Sequence, residues 1–88
     1  MAQIFDRSAN TLARASILGI VLLLSAVGAA LMQLQRYPEA LESLELSLAL
    51  DPNDRASWFV KSIILDELGR EQEAEEARAR ADSLDRRR

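Results

Sequence analysis

The chain has 88 residues, of which 28% are charged, and its formal net charge is −3. It contains no cysteine and no histidine. Without cysteine there is no disulfide framework, no cysteine-ligated zinc or iron–sulfur site and no C-x-x-C-H haem attachment. Without histidine the commonest general base and metal ligand is missing. We therefore expect no cofactor and no small-molecule substrate.

Charges are distributed unevenly along the chain. None occurs from Ala15 to Leu34, whereas the part from Arg36 onward mixes Glu-rich and Arg-rich stretches. No long basic face is formed, so nucleic acid is not an expected partner. Residues 85–88 are predicted to be a short, solvated basic tail.

Acidic side chains occur in adjacent pairs in the C-terminal half, as in Asp66–Glu67 and Glu75–Glu76. Such pairs are typical of solvated helix faces, where a carboxylate meets a cation four residues on, as Glu76 meets Arg80. No glycine-rich phosphate loop is present, and no serine has a histidine partner. The sequence therefore predicts that the protein is not an enzyme.

The first predicted element is a helix whose apolar part, residues 15–34, has the length of a membrane span. Ala15 to Met32 is a run of about 18 uncharged residues, or about 27 Å of helix. Three interpretations stay open: an uncleaved membrane anchor, a secretory signal peptide, and a very apolar core helix of a soluble domain. The anchor is our prediction, with the bilayer as a partner. Small residues suited to close helix packing are Ser25, Gly28 and Ala29.

Flanking charges predict how this span is oriented. Arg7 and Arg14 precede it, and carboxylates follow it from Glu39 onward. The positive-inside rule then makes residues 1–14 a cytoplasmic N-terminal lip and places the C-terminal domain outside the cytoplasm. The expected localisation is a single-pass membrane protein.

The remaining elements repeat with a period of about 34 residues, in blocks 21–54 and 55–88. Each block has a helical stretch, a short polar turn and an alanine-centred helix. The run RYPEALESLELSLALDPND closes the first block and resembles the tetratricopeptide repeat, whose pattern is W-x₂-L-G-x₂-Y, spaced small residues and a proline. The residues expected to pack the repeat are Tyr37, Ala40, Leu44, Pro52, Trp58, Gly69 and Ala74.

The resemblance implies an all-α fold in which the membrane helix runs into a short array of antiparallel helical hairpins. We predict four helices, at about 10–35, 38–50, 55–68 and 71–84, with Ser8 or Asn10 capping the first. Residues 36–84 form the repeat domain, and residues 15–34 serve both as the span and as the first helix of the first repeat. The last helix is polar, as a terminal capping helix should be.

Further details concern individual positions in the second block. Asn53 or Asp54 is expected to cap the third helix, and Trp58 is expected to cover the preceding helix around Leu44 and Leu48. Repeats of this family bind peptides or proteins on the concave surface made by their first helices. In the second block those positions are Ala56, Phe59, Ile63, Asp66 and Glu67. Alternatively, the two large apolar residues, Phe59 and Ile63, simply cover the first helix.

A second resemblance concerns residues 4–17, which read IFDRSANTLARASI. They are similar to the start of the membrane-anchored multihaem cytochrome c subunits of alternative complex III and related bacterial respiratory proteins. The similar positions are Phe5, Arg7, Ser8, Ala9, Asn10, Ala13, Arg14 and Ser16. The resemblance implies one span packed against a larger integral subunit, but no electron transfer, because the haem motifs are absent. Alternatively, the two arginines are ordinary topology charges.

Together these features predict a non-catalytic, membrane-anchored accessory or scaffold subunit of a larger bacterial membrane complex, respiratory or otherwise energy-transducing. The alternative is a soluble or secreted repeat adaptor that binds a peptide or self-associates.

Overall fold

The computed structural model describes the backbone of residues 2–85 and the side chains of residues 13–85. The predicted lip therefore lies mostly outside the described side chains, and so do the three arginines of the predicted tail. The side chains on which the N-terminal resemblance rests, up to Asn10, lie outside them as well.

The described residues form four α-helices and no strand, which confirms the predicted all-α class. The helices are α1 (Ala2–Gln33), α2 (Tyr37–Leu50), α3 (Arg55–Glu67) and α4 (Glu71–Asp85). α1 pairs with α2 and α3 pairs with α4, and α3 packs on α2 and more lightly on α1. The chain is thus two antiparallel hairpins joined through α2 and α3.

The predicted start of the first helix was wrong. α1 begins at Ala2, so the backbone of Ser8 and Asn10 lies inside the helix, and neither residue is at its N-terminal cap. Residues 2–9 contain no proline or glycine, so nothing in this stretch interrupts a helix that is already formed downstream.

A compact core lies between the hairpins. Leu44 and Ile64 are fully buried and Leu65 is 2% exposed. Alanines at Ala40 and Ala74 let the paired helices approach closely, where a longer side chain would hold them apart. The cluster consists of Ala40, Leu41, Leu44, Ile64, Leu65, Ala74 and Ala77.

The turns inside the two hairpins have the same backbone geometry. Gln35 has φ 63° and Gly69 has φ 78°, both in the left-handed region. The next residue in each turn donates its N–H back across it, from Arg36 to the Leu31 carbonyl and from Arg70 to the Leu65 carbonyl, at 2.9 Å in both cases. A left-handed residue after a helix is a common way to end it while satisfying its last carbonyls.

The turn between the hairpins is built from Asp51 to Asp54. The Asn53 N–H donates to the Asp51 carboxylate at 3.0 Å, and Asp54 is the N-terminal cap of α3. The sequence suggested that the Asp54 side chain would accept a hydrogen bond from a backbone N–H of α3, but it makes no such bond. It accepts a 2.6 Å hydrogen bond from the Ser57 hydroxyl instead. This serine is buried, so its hydroxyl needs a partner inside the protein.

Candidate interaction surfaces

A long apolar surface lies on α1. Residues Ala13–Gln33 form a helix long and apolar enough to cross a membrane by length and composition, and only 11% of that window is buried. The outward-facing Leu22, Leu23 and Leu34 are each about two-thirds exposed. A core helix of a soluble domain would be mostly buried, whereas a membrane anchor or a signal sequence has this composition.

One narrow face of α1 is packed against α2. Gly28 is buried there, and a Cβ placed on it would lie 2.8 Å from Leu44 Cγ and 2.9 Å from Leu44 Cδ2. The absence of a side chain therefore sets how closely the two helices approach. Ser25 donates its hydroxyl to the Leu22 carbonyl of its own helix at 3.0 Å, and Ala29 is half-buried. Of the three small residues singled out in the sequence, Gly28 is the one in tight contact within the hairpin.

α2 lies alongside most of the apolar part of α1. At one end Tyr37 and Leu31 pack against the same core cluster. At the other end Leu50 and Asp51 line one groove with Ile17 of α1. The solvent-facing side of α2 carries the exposed carboxylates Glu39, Glu42 and Glu45. A charged helix is therefore paired with the apolar one.

Buried serines join three helices at the centre of the molecule. The Ser47 hydroxyl of α2 lies 2.9 Å from the Ser57 hydroxyl of α3 and 3.3 Å from the Val21 carbonyl of α1. Both serines are fully buried and Val21 is 2% exposed. Sequence reasoning did not single out Ser57. The available signal was a serine on an apolar helix face, since Ser47 lies between Leu44 and Leu48.

Trp58 lies on the side of the second hairpin. It is half-buried against the core cluster, and its indole Nε1 donates a 2.7 Å hydrogen bond to the Pro52 carbonyl. The Lys61 ammonium stands 5.2 Å from the ring centroid, within cation–π range. The ring borders an open groove of about 380 Å³ whose walls belong to α3 and α4, among them Leu65 and Arg80. The core cluster against which it packs contains Leu44, and Ala77 and Arg80 of α4 line the groove together with the ring.

The residues expected on the concave face of the second repeat are accessible to different degrees. Phe59 is 47% exposed, Ala56 and Glu67 are exposed, and Ile63 is half-buried. Asp66 is exposed and accepts a 2.8 Å hydrogen bond from Arg78 of α4. Phe59 is therefore the largest accessible apolar side chain of this set.

An ion pair recurs at the start of the second helix of each hairpin. Arg36 pairs with Glu39, and one repeat length later Arg70 pairs with Glu73 at 2.6 Å. The hydrogen bond from Arg70 is the main cause that holds the pKa of the Glu73 carboxyl below its ordinary value. The same bond raises the pKa of the Arg70 guanidinium above its ordinary value. Both side chains are solvent-exposed, so water screens the attraction.

The acidic side chains do not form a metal site in the part of the chain that the structure describes. There, no group of three Asp or Glu residues is placed so that it would hold a metal ion.

Comparison with known families assigns the first hairpin. Residues 21–54 match the family model of the tetratricopeptide repeat, which covers the C-terminal part of α1, all of α2 and the following turn. Residues 21–54 are therefore similar to a tetratricopeptide repeat, and the described helices form hairpins of the tetratricopeptide type. Repeats of this family are in general protein–protein interaction modules. No curated protein and no solved structure gives a significant match.

Proposed function

We propose that the protein is a non-catalytic, membrane-anchored accessory or scaffold subunit whose tetratricopeptide repeat holds protein partners within a larger membrane complex. The observation that carries this proposal is the largely exposed apolar span of α1, which is continuous with a repeat of a protein-interaction family. An exposed apolar surface of this size calls for lipid or another apolar surface to cover it.

The proposed partner contact lies on α3. Phe59 offers a large apolar side chain at 47% exposure, with Ile63 one helical turn further along the same face. Glu67 adds an exposed carboxylate beside them, and Ala56 leaves room at the start of the helix. A partner segment with apolar side chains and a neighbouring cation fits this surface.

The kind of complex and the orientation rest on the N-terminal sequence. Its similarity to the anchors of respiratory cytochrome subunits supports a respiratory or energy-transducing complex of a bacterium, with α1 packed against a larger integral subunit. Arg7 and Arg14 before the span support a cytoplasmic N-terminus and a repeat domain outside the cytoplasm. A reporter fused after Arg88 should then be active only outside the cytoplasm, and cytoplasmic activity would reverse the orientation.

A second candidate function is a soluble repeat adaptor, and one observation favours it. α2, with the exposed Glu39, Glu42 and Glu45, is paired with the apolar helix along most of its length. In that case a protein partner or a second copy of the chain, and not lipid, covers α1.

Carbonate extraction of membranes separates the two candidates. An integral subunit stays in the membrane pellet, whereas an adaptor is released into the supernatant. Purification from the pellet followed by mass spectrometry should recover a larger integral membrane protein in fixed proportion. Complete release by carbonate would reject the membrane-anchored subunit.

A further inference from the structure

α1 has two proposed roles, as a membrane span and as the first helix of the repeat, and the two roles require different surroundings. As a membrane span it would place residues 13–33 across the hydrocarbon region. As the first helix of the repeat it carries α2 along its side, from Tyr37 near Leu31 to Leu50 near Ile17. A closed hairpin that entered the bilayer at the depth of α1 would therefore take α2 with it.

α2 is not suited to the hydrocarbon region. Glu39, Glu42 and Glu45 are exposed on its outer side and spaced along it, so any depth that immerses α1 immerses at least some of them. Ionised side chains at the centre of a bilayer are strongly disfavoured. None of these three carboxylates is covered by a buried protein partner that would offset the loss of water.

The contact between α1 and α2 is, however, well made. Leu44 is fully buried against Gly28, and Ser47 reaches the Val21 carbonyl. Separation of the helices would expose the apolar face of α2, which includes Leu41 and Leu48. When α1 and α2 are packed together, the apolar face of α2 is covered but the outer apolar surface of α1 is exposed. When α1 is in the bilayer and α2 is released, the surface of α1 is covered but the apolar face of α2 is exposed.

We propose that α1 exchanges between two places: packed on α2 in a closed repeat, or inserted in the bilayer with α2 released from it. The exchange rests on the proposed function, because insertion of α1 is the anchoring step. The new element is that α1 cannot anchor the chain in the bilayer and pack on α2 in the first repeat at the same time. The hairpin of α3 and α4 makes its own intramolecular contacts and is kept in both states.

A disulfide between α1 and α2 tests the exchange. The chain has no cysteine, so Gly28→Cys with Leu44→Cys introduces a single pair. A Cβ on residue 28 lies 2.8 Å from Leu44 Cγ, which is compatible with the Cβ–Cβ separation of about 3.5–4.5 Å in disulfides. The full-length variant is oxidised in detergent, reconstituted into lipid vesicles, and extracted with carbonate with and without reductant.

The control places cysteines at the positions one repeat length later, Ser62→Cys on α3 with Arg78→Cys on α4, so that a disulfide between them would leave α1 free. We expect the reduced Gly28/Leu44 variant to stay in the pellet and its oxidised form to be retained about tenfold less, because the linked α2 carries its charges with it. The control should stay in the pellet in both redox states.

The other outcomes each count against the exchange. If the oxidised Gly28/Leu44 variant is retained as well as the reduced one, the exchange is wrong while the anchor stands. Release of the reduced form rejects the anchor and the exchange together. If the disulfide does not form in detergent, or if the control is also released on oxidation, closure of α1 on α2 is not what governs insertion.

Discussion

Gln35 and Gly69 occupy the same place in the two hairpin turns, one repeat length apart, and both have positive φ, at 63° and 78°. Glycine adopts this conformation without steric cost, whereas a residue with a Cβ is disfavoured there by about 1–2 kcal/mol. The first hairpin therefore contains a strained residue where the second has none.

Replacing Gln35 by glycine should stabilise the first hairpin. We expect Gln35→Gly to raise the free energy of unfolding by about 0.5–1 kcal/mol, since part of the relieved strain is offset by the greater freedom of glycine when unfolded. Urea unfolding followed by circular dichroism measures the change. Gln33→Gly, in the last turn of α1, is the control and should lower stability by about 1 kcal/mol. A loss of stability on Gln35→Gly would contradict the strain.

The two helical glycines of α1 should respond in opposite ways to alanine. Nothing lies within 4 Å of a Cβ on Gly19, so Gly19→Ala should stabilise the helix by about 1 kcal/mol. Gly28→Ala places a methyl group 2.8 Å from Leu44 Cγ, and overpacking there should cost about 1–3 kcal/mol. Thermal melting in detergent measures both. Adding Leu44→Ala should make the cost of Gly28→Ala disappear, and additive effects would argue against this contact.

Trp58 and Phe59 should separate stability from binding. Trp58 is half-buried and hydrogen-bonded to Pro52, so Trp58→Ala should cost about 2–3 kcal/mol, less than the roughly 3–5 kcal/mol of a fully buried aromatic residue. Phe59→Ala, at 47% exposure, should leave melting near that of the wild type and weaken co-purification with the partner. If Trp58→Ala melts like the wild type but loses the partner, the repeat register is wrong.

A charge in the proposed span should release the protein from membranes. Leu23 is 65% exposed on α1, and Leu23→Arg should cost about 3 kcal/mol of insertion free energy. Leu46→Arg is the matched control, because Leu46 is 55% exposed but lies on α2, outside the span. Carbonate extraction should therefore release the first variant and retain the second. Full retention of Leu23→Arg would mean that α1 does not anchor the chain.

The carboxyl of Glu73 should titrate below the ordinary range for glutamate because of Arg70. A depressed folded pKa means that the pair stabilises α4 above the ordinary pKa of about 4.3, and that this contribution is lost as the pH falls through the folded pKa. A carbon-detected NMR titration measures the Glu73 pKa directly. Arg70→Gln should return the pKa towards its ordinary value. An unchanged value in that variant would show that the pair is absent in solution.

Much of the fold follows from local sequence signals. Gly69, Pro52 and the alanine spacing of the later helices are short-range features with a direct backbone or packing meaning, so three of the four helices begin and end within about two residues of their expected positions. The start of α1 was missed, because polar residues such as Ser8 are compatible with either a cap or a helix interior.

The spatial conflict at α1 follows from the overlap of two sequence signals. Hydropathy describes one segment at a time and predicts a span at residues 15–34, and the repeat pattern independently predicts the first helix of a hairpin. The sequence did not predict that Leu44 is the residue of α2 that contacts Gly28, because this depends on how the two helices meet in space. The junction between Ser47 and Ser57 escaped notice for the same reason, since their contact joins different helices.

The hydrogen bonds at the Ser47–Ser57 junction determine what is lost when α1 separates from α2. Two hydroxyl hydrogens serve three acceptors: Ser57 gives its hydrogen to the Asp54 carboxylate at 2.6 Å, and Ser47 shares its single hydrogen between the Ser57 oxygen and the Val21 carbonyl. Val21 is inside a continuous helix, so its carbonyl has a main-chain donor in any case. Withdrawal of α1 would thus strand no donor and no acceptor. Apart from this shared hydrogen bond, the contacts between α1 and α2 among residues 13–85 are apolar. A bilayer can replace them for α1, whereas the apolar face of α2 would lose its cover.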